Sequence, residues 1–210
     1  MSRVVVFSGG ADYADPWHPF AETSAIVADV LREDGGDVTV VDTLEGLVAR
    51  IDAADLLVIN AGGGTAPHPL DARLAEILAG YGGPLLALHV AATLLPEYAA
   101  WEARLGGRWV RGVTFHPERG PLRVRTVSAS VADLPAVDTV DEAYTELWVS
   151  PEADVLLAHD DPDGVAHALA WAHENDGCRA AYSALGHDAE AYASPLAPDF
   201  IRRLTRWLLA

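Results

Sequence analysis

Four short runs of the chain are apolar at nearly every position: RVVVFS (3–8), VTVVD (38–42), DLLVINAGGG (55–64, strand then glycine loop) and PLLALH (84–89). A strand with one wet face alternates apolar and polar residues, whereas a strand without that alternation is buried on both faces. Between these runs the apolar spacing is helical. Segment 19–34 carries Phe20, Ile26, Val27, Val30 and Leu31 and ends at a Gly pair; 44–51 is shorter; 69–80 has Pro69 placed to start it; 90–105 is broken at Pro96. Buried strands that alternate with helices predict an α/β fold, a doubly wound and mostly parallel sheet with helices on both faces.

The second half reads differently. RWVRGVTFH (108–116), LRVRTVS (122–128), VDEAYTEL (140–147), ADVLLAHD (153–160), AHALAWAHE (166–174) and CRAAYSALG (178–186) are strand-like, and ENDG (174–177) reads as a hairpin turn between the last two. PDFIRRLTRWLLA (198–210) is an amphipathic helix. The expectation is one domain over residues 1–210, with an extended β-rich insert around 106–150 that covers a site.

Charge narrows the partners. Fourteen Lys and Arg stand against 31 Asp and Glu, a formal net charge of −17. Such a surface repels phosphate backbones and anionic lipid, so neither nucleic acid nor a membrane is expected, and a neutral small molecule or a cation fits better. The single cysteine, Cys178, rules out an internal disulfide and a Cys-rich zinc site. The apolar run at the N-terminus, about five residues, is too short for a signal peptide, and no run reaches the roughly 18 residues of a membrane span. A cytoplasmic protein is expected.

In open α/β sheets ligands bind beyond the carboxyl ends of the parallel strands. His18, in DPWHPF, follows strand one; His89 ends strand four; His116 ends the strand-like run GVTF; His187 follows the last strand; Glu142 and Tyr144 lie in DEAYTEL. One histidine at a strand end is usually a loop residue, but four on one edge point to a shared pocket. His68, His159, His167 and His173 fall in turns, strand ends or hairpin strands and are set aside. Five of the tryptophans, Trp17, Trp101, Trp109, Trp148 and Trp171, are candidates to stack on sugar rings, against the commoner role of core packing. The loop NAGGGT lacks both G-x-G-x-x-G and the Walker pattern. Gly62 and Gly63 there read as backbone contacts for a neutral ligand, with plain turn geometry as the alternative.

The corner ALHVAA (87–92) has the form of a nucleophile elbow, with His89 where a Ser or Cys would stand. GVTFHPE (112–118) is similar to the His and Glu of class I glutamine amidotransferase triads. However, the elbow lacks Cys, and the string comes before the last strands. Cys178 sits at a strand start, so thioester chemistry on glutamine is not expected.

HPF (18–20), NAGGG (60–64), ALHVAA (87–92), GVTFHP (112–117), DEAYTEL (141–147) and AWAHENDGCRAAYSALGHD (170–188) together resemble the trehalose-utilisation, or ThuA-like, family of the class I glutamine amidotransferase-like superfamily. The resemblance implies a flavodoxin-like sheet with a histidine in place of the superfamily's cysteine. It also implies use of trehalose or a related disaccharide, with a sugar-oxidising dehydrogenase as pathway partner. By motif position it marks His18, His89, His116, Glu142, Tyr144 and His187.

Two functions follow as expectations. In the first, the chain cleaves a sugar or ketoglycoside as a hydrolase or lyase. His89 or Glu142 is then the base, and another of His116 and His187 protonates the leaving oxygen. His18, Gly62, Gly63 and Tyr144 would bind the substrate. No cofactor is specified, but a divalent metal could take over some of these roles, because neutral imidazoles with a carboxylate are usual zinc ligands. In the second, the fold is kept for sugar binding or regulation without turnover. Self-association into a homo-oligomer is open in either case.

Overall fold

A computed structural model describes residues 1–131 and 134–210. Residues 132 and 133, within the expected insert, lie outside the described residues. The four apolar runs form β1 (Arg3–Ser8), β2 (Asp37–Val41), β3 (Leu56–Asn60) and β4 (Leu85–Leu88). Every residue of β3 and β4 is buried, as strands covered on both faces must be. The helices between them are α1 (Phe20–Glu33), α2 (Leu44–Val48) and α3 (Asp71–Ala79). After β4 come a 3-10 turn at His89–Thr93 and α4 (Ala99–Leu105), on either side of Pro96.

The remaining strands are β5 (Gly107–Arg108), β6 (Gly120–Thr126), β7 (Val137–Asp141), β8 (Trp148–Val149), β9 (Asp154–Asp160), β10 (Ala166–Asn175) and β11 (Cys178–Ser183), followed by α5 (Leu196–Leu209). Nine strands make one sheet in the order β2-β1-β3-β4-β11-β10-β9-β6-β7. The first five of that order are parallel neighbours. The last four extend them as antiparallel pairs. Helices α1 and α5 pack on each other and on the parallel half; α4 packs on β10 and β11. The expected hairpin is present: Asn175 pairs with Cys178 around Asp176 (φ 51°) and Gly177 (φ 75°), and two positive-φ residues are what a tight two-residue hairpin needs.

Two expected strands are corrected. Of run 108–116 only Arg108 is strand, the end of β5, where it pairs with Trp148. Its continuation is pulled out of extended pairing: Trp109 N–H bonds to Ala92 O, Val113 and Thr114 N–H turn back to Val110 O, and Gly112 sits at φ 78°. Val113 and Phe115 are consequently exposed. In run 140–147 the strand ends at Asp141, where Tyr144 N–H turns back onto Glu142 O. One bridge, Phe115 with Thr145, ties these two loops together.

Candidate functional site

The loops at the carboxyl ends of β1, β3, β4 and β11 meet over one cleft of about 960 Å³. Polar ties at the sheet end fix these loops. Asn60, the last residue of β3, donates its side-chain N–H to Thr23 Oγ1 and Ser24 Oγ of α1, both at 2.9 Å. Ser8, the last of β1, donates to Phe20 O.

His89 is the most constrained residue of the cleft. It is buried, and its φ of 47° lies in the left-handed region. A non-glycine residue there costs about 1–3 kcal/mol and persists only when its surroundings over-determine it. Here Tyr182 Oη donates to His89 O at 2.7 Å, and His89 Nδ1 lies 2.8 Å from Ala184 O. A carbonyl only accepts, so Nδ1 carries the proton, and in the neutral ring Nε2 carries the lone pair. Around Nε2 gather Tyr144 Oη at 3.2 Å, His187 Nδ1 at 3.3 Å and Glu142 Oε2 at 3.3 Å.

Glu142 stands between the imidazoles. Its Oε1 is 3.4 Å from His187 Nδ1 and 3.6 Å from His116 Nδ1. Burial alone would raise its pKa, but the contacts from His187 and His89 outweigh burial and hold the carboxyl well below the usual range. The same hydrogen bond to Glu142 raises His187, against the opposing effect of burial. His18 goes the other way: burial lowers it more than Asp15 raises it. Its Nδ1 is 2.7 Å from Asp15 Oδ2, so Nε2 is the nitrogen left for the cleft. Burial raises the Tyr144 hydroxyl well above its ordinary value, so it is a proton donor and not a base.

The structure therefore brings His18, His89, Glu142, Tyr144 and His187 into contact, with His116 at the mouth. His116 does not end a strand. It lies on the exposed loop after β5, stacked on Tyr144 with ring centroids 5.3 Å apart. Gly62 and Gly63 are placed elsewhere than expected. A Cβ on Gly62 would come within 2.5 Å of Val90 Cγ2, and one on Gly63 within 2.8 Å of Thr93 O. Gly63 N–H is already taken by Thr93 Oγ1 at 3.0 Å. These glycines let the loop pass close beneath the elbow, while Gly64 and Thr65 are the loop residues that line the cleft. Of the tryptophans, Trp17 and Trp109 line it; Trp101 and Trp171 are core, and Trp148 lies in β8.

Three supporting residues escape a reading of the sequence. Asp15 holds His18 by its side chain and also accepts the backbone N–H of Trp17 and His18; the D-x-x-H spacing was the available signal. Asp141 is buried and accepts N–H from Glu142, Gly186 and His187, so one carboxylate sets both halves of the Glu142–His187 pair. Burial raises its pKa, with these hydrogen bonds opposing. Tyr182 reads only as a strand residue. Cys178 lies away from this cleft, with Sγ against Gly82 O. No helix among the described residues is long and apolar enough to cross a membrane.

Solved structures share this fold. A ThuA-like protein from Parabacteroides merdae matches with a TM-score of 0.79 at 16% identity, covering 100% of this chain and 90% of its own. A second, from Bacteroides uniformis, gives a TM-score of 0.70 at 14% identity, covering 98% of this chain and 90% of its own. A GMP synthase component from Thermoplasma acidophilum gives 0.60 at 15% identity, covering 99% of this chain and 96% of its own. The last shows the glutamine amidotransferase-like fold, here with His89 at the elbow. Among curated proteins, none matches the chain by sequence. The ThuA family profile, described as trehalose utilisation, matches residues 3–208, and the chain belongs to that family.

Proposed function

We propose that the chain acts on a sugar in this cleft by acid–base chemistry, in the use of trehalose or a related disaccharide. The observation that carries this reading is one carboxylate, Glu142, in contact with three imidazoles, His89, His116 and His187, at the floor of a cleft walled by Trp17 and Trp109. The cleft is at the upper end of ordinary small-molecule sites, which run to about 1,000 Å³.

A keto group on a disaccharide acidifies the neighbouring C–H. A base removes that proton, and the leaving oxygen is protonated as the glycosidic bond breaks. Glu142 is held too low to be an efficient base at neutral pH. Its part is to keep positive charge on the floor, through the proton of His187, opposite the oxygen that gains negative charge. His116 is the imidazole left to move the proton. Its Nδ1 lies 3.0 Å from Pro117 O, and its Nε2 remains free for substrate. An oxidised sugar of this kind is the product of a sugar-oxidising dehydrogenase, the partner this reading expects in the same cytoplasmic pathway.

The test is to incubate the chain with trehalose and with a keto-disaccharide and follow the products by NMR. Cleavage of the keto sugar, slowed by about 10²–10⁴-fold in His116→Ala, is the expected result. No cleavage of either sugar, or an unchanged rate in the variant, would overturn it. A second reading, sugar binding without turnover, is favoured by Trp17, which is 58% exposed at the cleft. Saturable binding of intact sugar with no product would select it.

A further inference from the structure

Four side chains from four separate segments converge on one small volume. One donor atom from each of His18, His89, Glu142 and His187 lies within 4.8 Å of every other. We propose that these four residues hold one divalent cation of the zinc class. The proposal deepens the reading above and rests on it only for what the ion does to a substrate.

Spacing is the first support. A tetrahedral site with bonds of about 2.1 Å places its ligand atoms about 3.4 Å apart. His89 Nε2 to His187 Nδ1 is 3.3 Å, His89 Nε2 to Glu142 Oε2 is 3.3 Å, and His187 Nδ1 to Glu142 Oε1 is 3.4 Å. His18 offers its donor atom within 4.8 Å of the other three and completes the set by moving inward.

The outer partners are the second support. A metal-ligating histidine usually donates its other N–H to a carbonyl or carboxylate, which fixes the tautomer and makes the ligating nitrogen more basic. His89 does so to Ala184 O and His18 to Asp15.

An unpartnered oxygen is the third. Glu142 Oε2 is buried and has no hydrogen-bond partner, although His89 Nε2 is 3.3 Å away. With Nδ1 directed at Ala184 O, His89 turns Nε2 into the cleft, where the Tyr144 hydroxyl meets it at 3.2 Å. A cation between Nε2 and Oε2 would bond to both. Three imidazoles and one carboxylate, with no thiolate, suit zinc and its first-row neighbours. His18, Glu142 and His187 also line the cleft, so the ion would be reachable by a substrate oxygen, whose developing charge it would stabilise in place of the His187 proton.

The chain, free of any polyhistidine tag and stripped with a chelator, is titrated with Zn²⁺ alone by calorimetry, and metal is counted after desalting. One ion per chain is expected. Glu142→Gln and His187→Ala should weaken binding by about 100-fold or more, and Asp15→Asn by about 10–100-fold. His187 is only half-buried, so its truncation tests the site without opening the core; circular dichroism confirms that each variant is folded. Tyr144→Phe should bind the ion as tightly or more so, because the Tyr144 hydroxyl occupies the same His89 nitrogen in the ion-free chain. No stoichiometric Zn²⁺, or equal binding by Glu142→Gln and His187→Ala, overturns the proposal. No sugar enters this measurement. Zinc bound without sugar turnover therefore defeats only the functional reading, and turnover undiminished in metal-free chain defeats only the ion's part in catalysis.

Discussion

Two groups of histidines and carboxylates in this molecule look alike in composition and differ in chemistry. In the cleft, His18, His89 and His187 surround Glu142. On the antiparallel strands β9 and β10, His159 and His167 stand opposite each other near Asp161 and Glu146. In the second group both nitrogens of His167 are occupied. Nδ1 accepts Glu146 N–H and Nε2 faces Asp161 Oδ2, each at 3.3 Å. His159 Nε2 donates to Tyr144 O at 2.9 Å. Those side chains hold loops in place, and neither histidine lines the cleft. In the cleft the outer nitrogens of His18 and His89 are satisfied by Asp15 and Ala184 O, while the inner ones share one small volume with His187 and Glu142. Histidines and carboxylates make a site when lone pairs are left over and directed at a common point, and their number alone does not.

The largest expected effect separates the two groups directly. Glu142→Gln should slow turnover of a keto-disaccharide by about 10²–10³-fold, the cost of removing one charge-stabilising group, while His167→Gln leaves the rate unchanged. Equal losses in both variants, in a steady-state assay, would erase the distinction. Next comes the packing beneath the elbow. Gly63→Ala drives a Cβ to within 2.8 Å of Thr93 O, which is backbone and cannot swing aside. Urea denaturation should show a loss of about 1–3 kcal/mol, typical of overpacking. Gly64→Ala, at φ 62° but with open space around it, meets backbone strain alone and so checks which of the two effects dominates.

A smaller effect is expected at Tyr182→Phe. Losing the hydrogen bond to His89 O should cost about 0.5–1.5 kcal/mol in the same denaturation assay. Smallest is a control far from both groups. Arg3 and Asp55 pair in solvent, and the hydrogen bonds from Arg3 lower Asp55 to about 2. A carboxyl lowered in the folded state contributes stability that is complete above its unfolded pKa, about 3.9, and is lost as the pH falls toward 2. Because the pair is solvent-exposed that contribution is small, so Asp55→Asn should lower melting at pH 7 only slightly and flatten its acid dependence below about pH 4. A large shift at pH 7 would mean that surface pairs matter here as much as buried contacts.

The comparison also shows what the sequence makes visible. The parallel strands and their helices are legible because continuous apolar runs allow one burial pattern. His18, His89 and His187 are legible for a topological reason: each lies in the turn or loop that leaves the carboxyl end of a strand the sequence already defines. The loop 109–119 is not, because its apolar residues alternate like a strand while Gly112 and the tie from Trp109 to Ala92 bend it away. Gly62 and Gly63 look like ligand contacts because glycine serves close approach of any kind, and only the positions of Val90 and Thr93 show which. The choice between the cleft histidines and His167 depends on bonds such as His89 to Ala184, 95 positions apart, which no local pattern encodes.

That long reach bears on how the protein is made. Synthesis delivers His18 first, then His89, then Glu142, and His187 last of the four. Asp141 cannot accept Gly186 and His187 N–H before those residues exist. Strands β1 to β4 are therefore made early, yet the cluster stays incomplete until β11 pairs with β4. The cluster is closed by β11 and the turn after it, so a chain cut short before that strand lacks His187 and the backbone N–H groups that Asp141 accepts, even where its first half is folded.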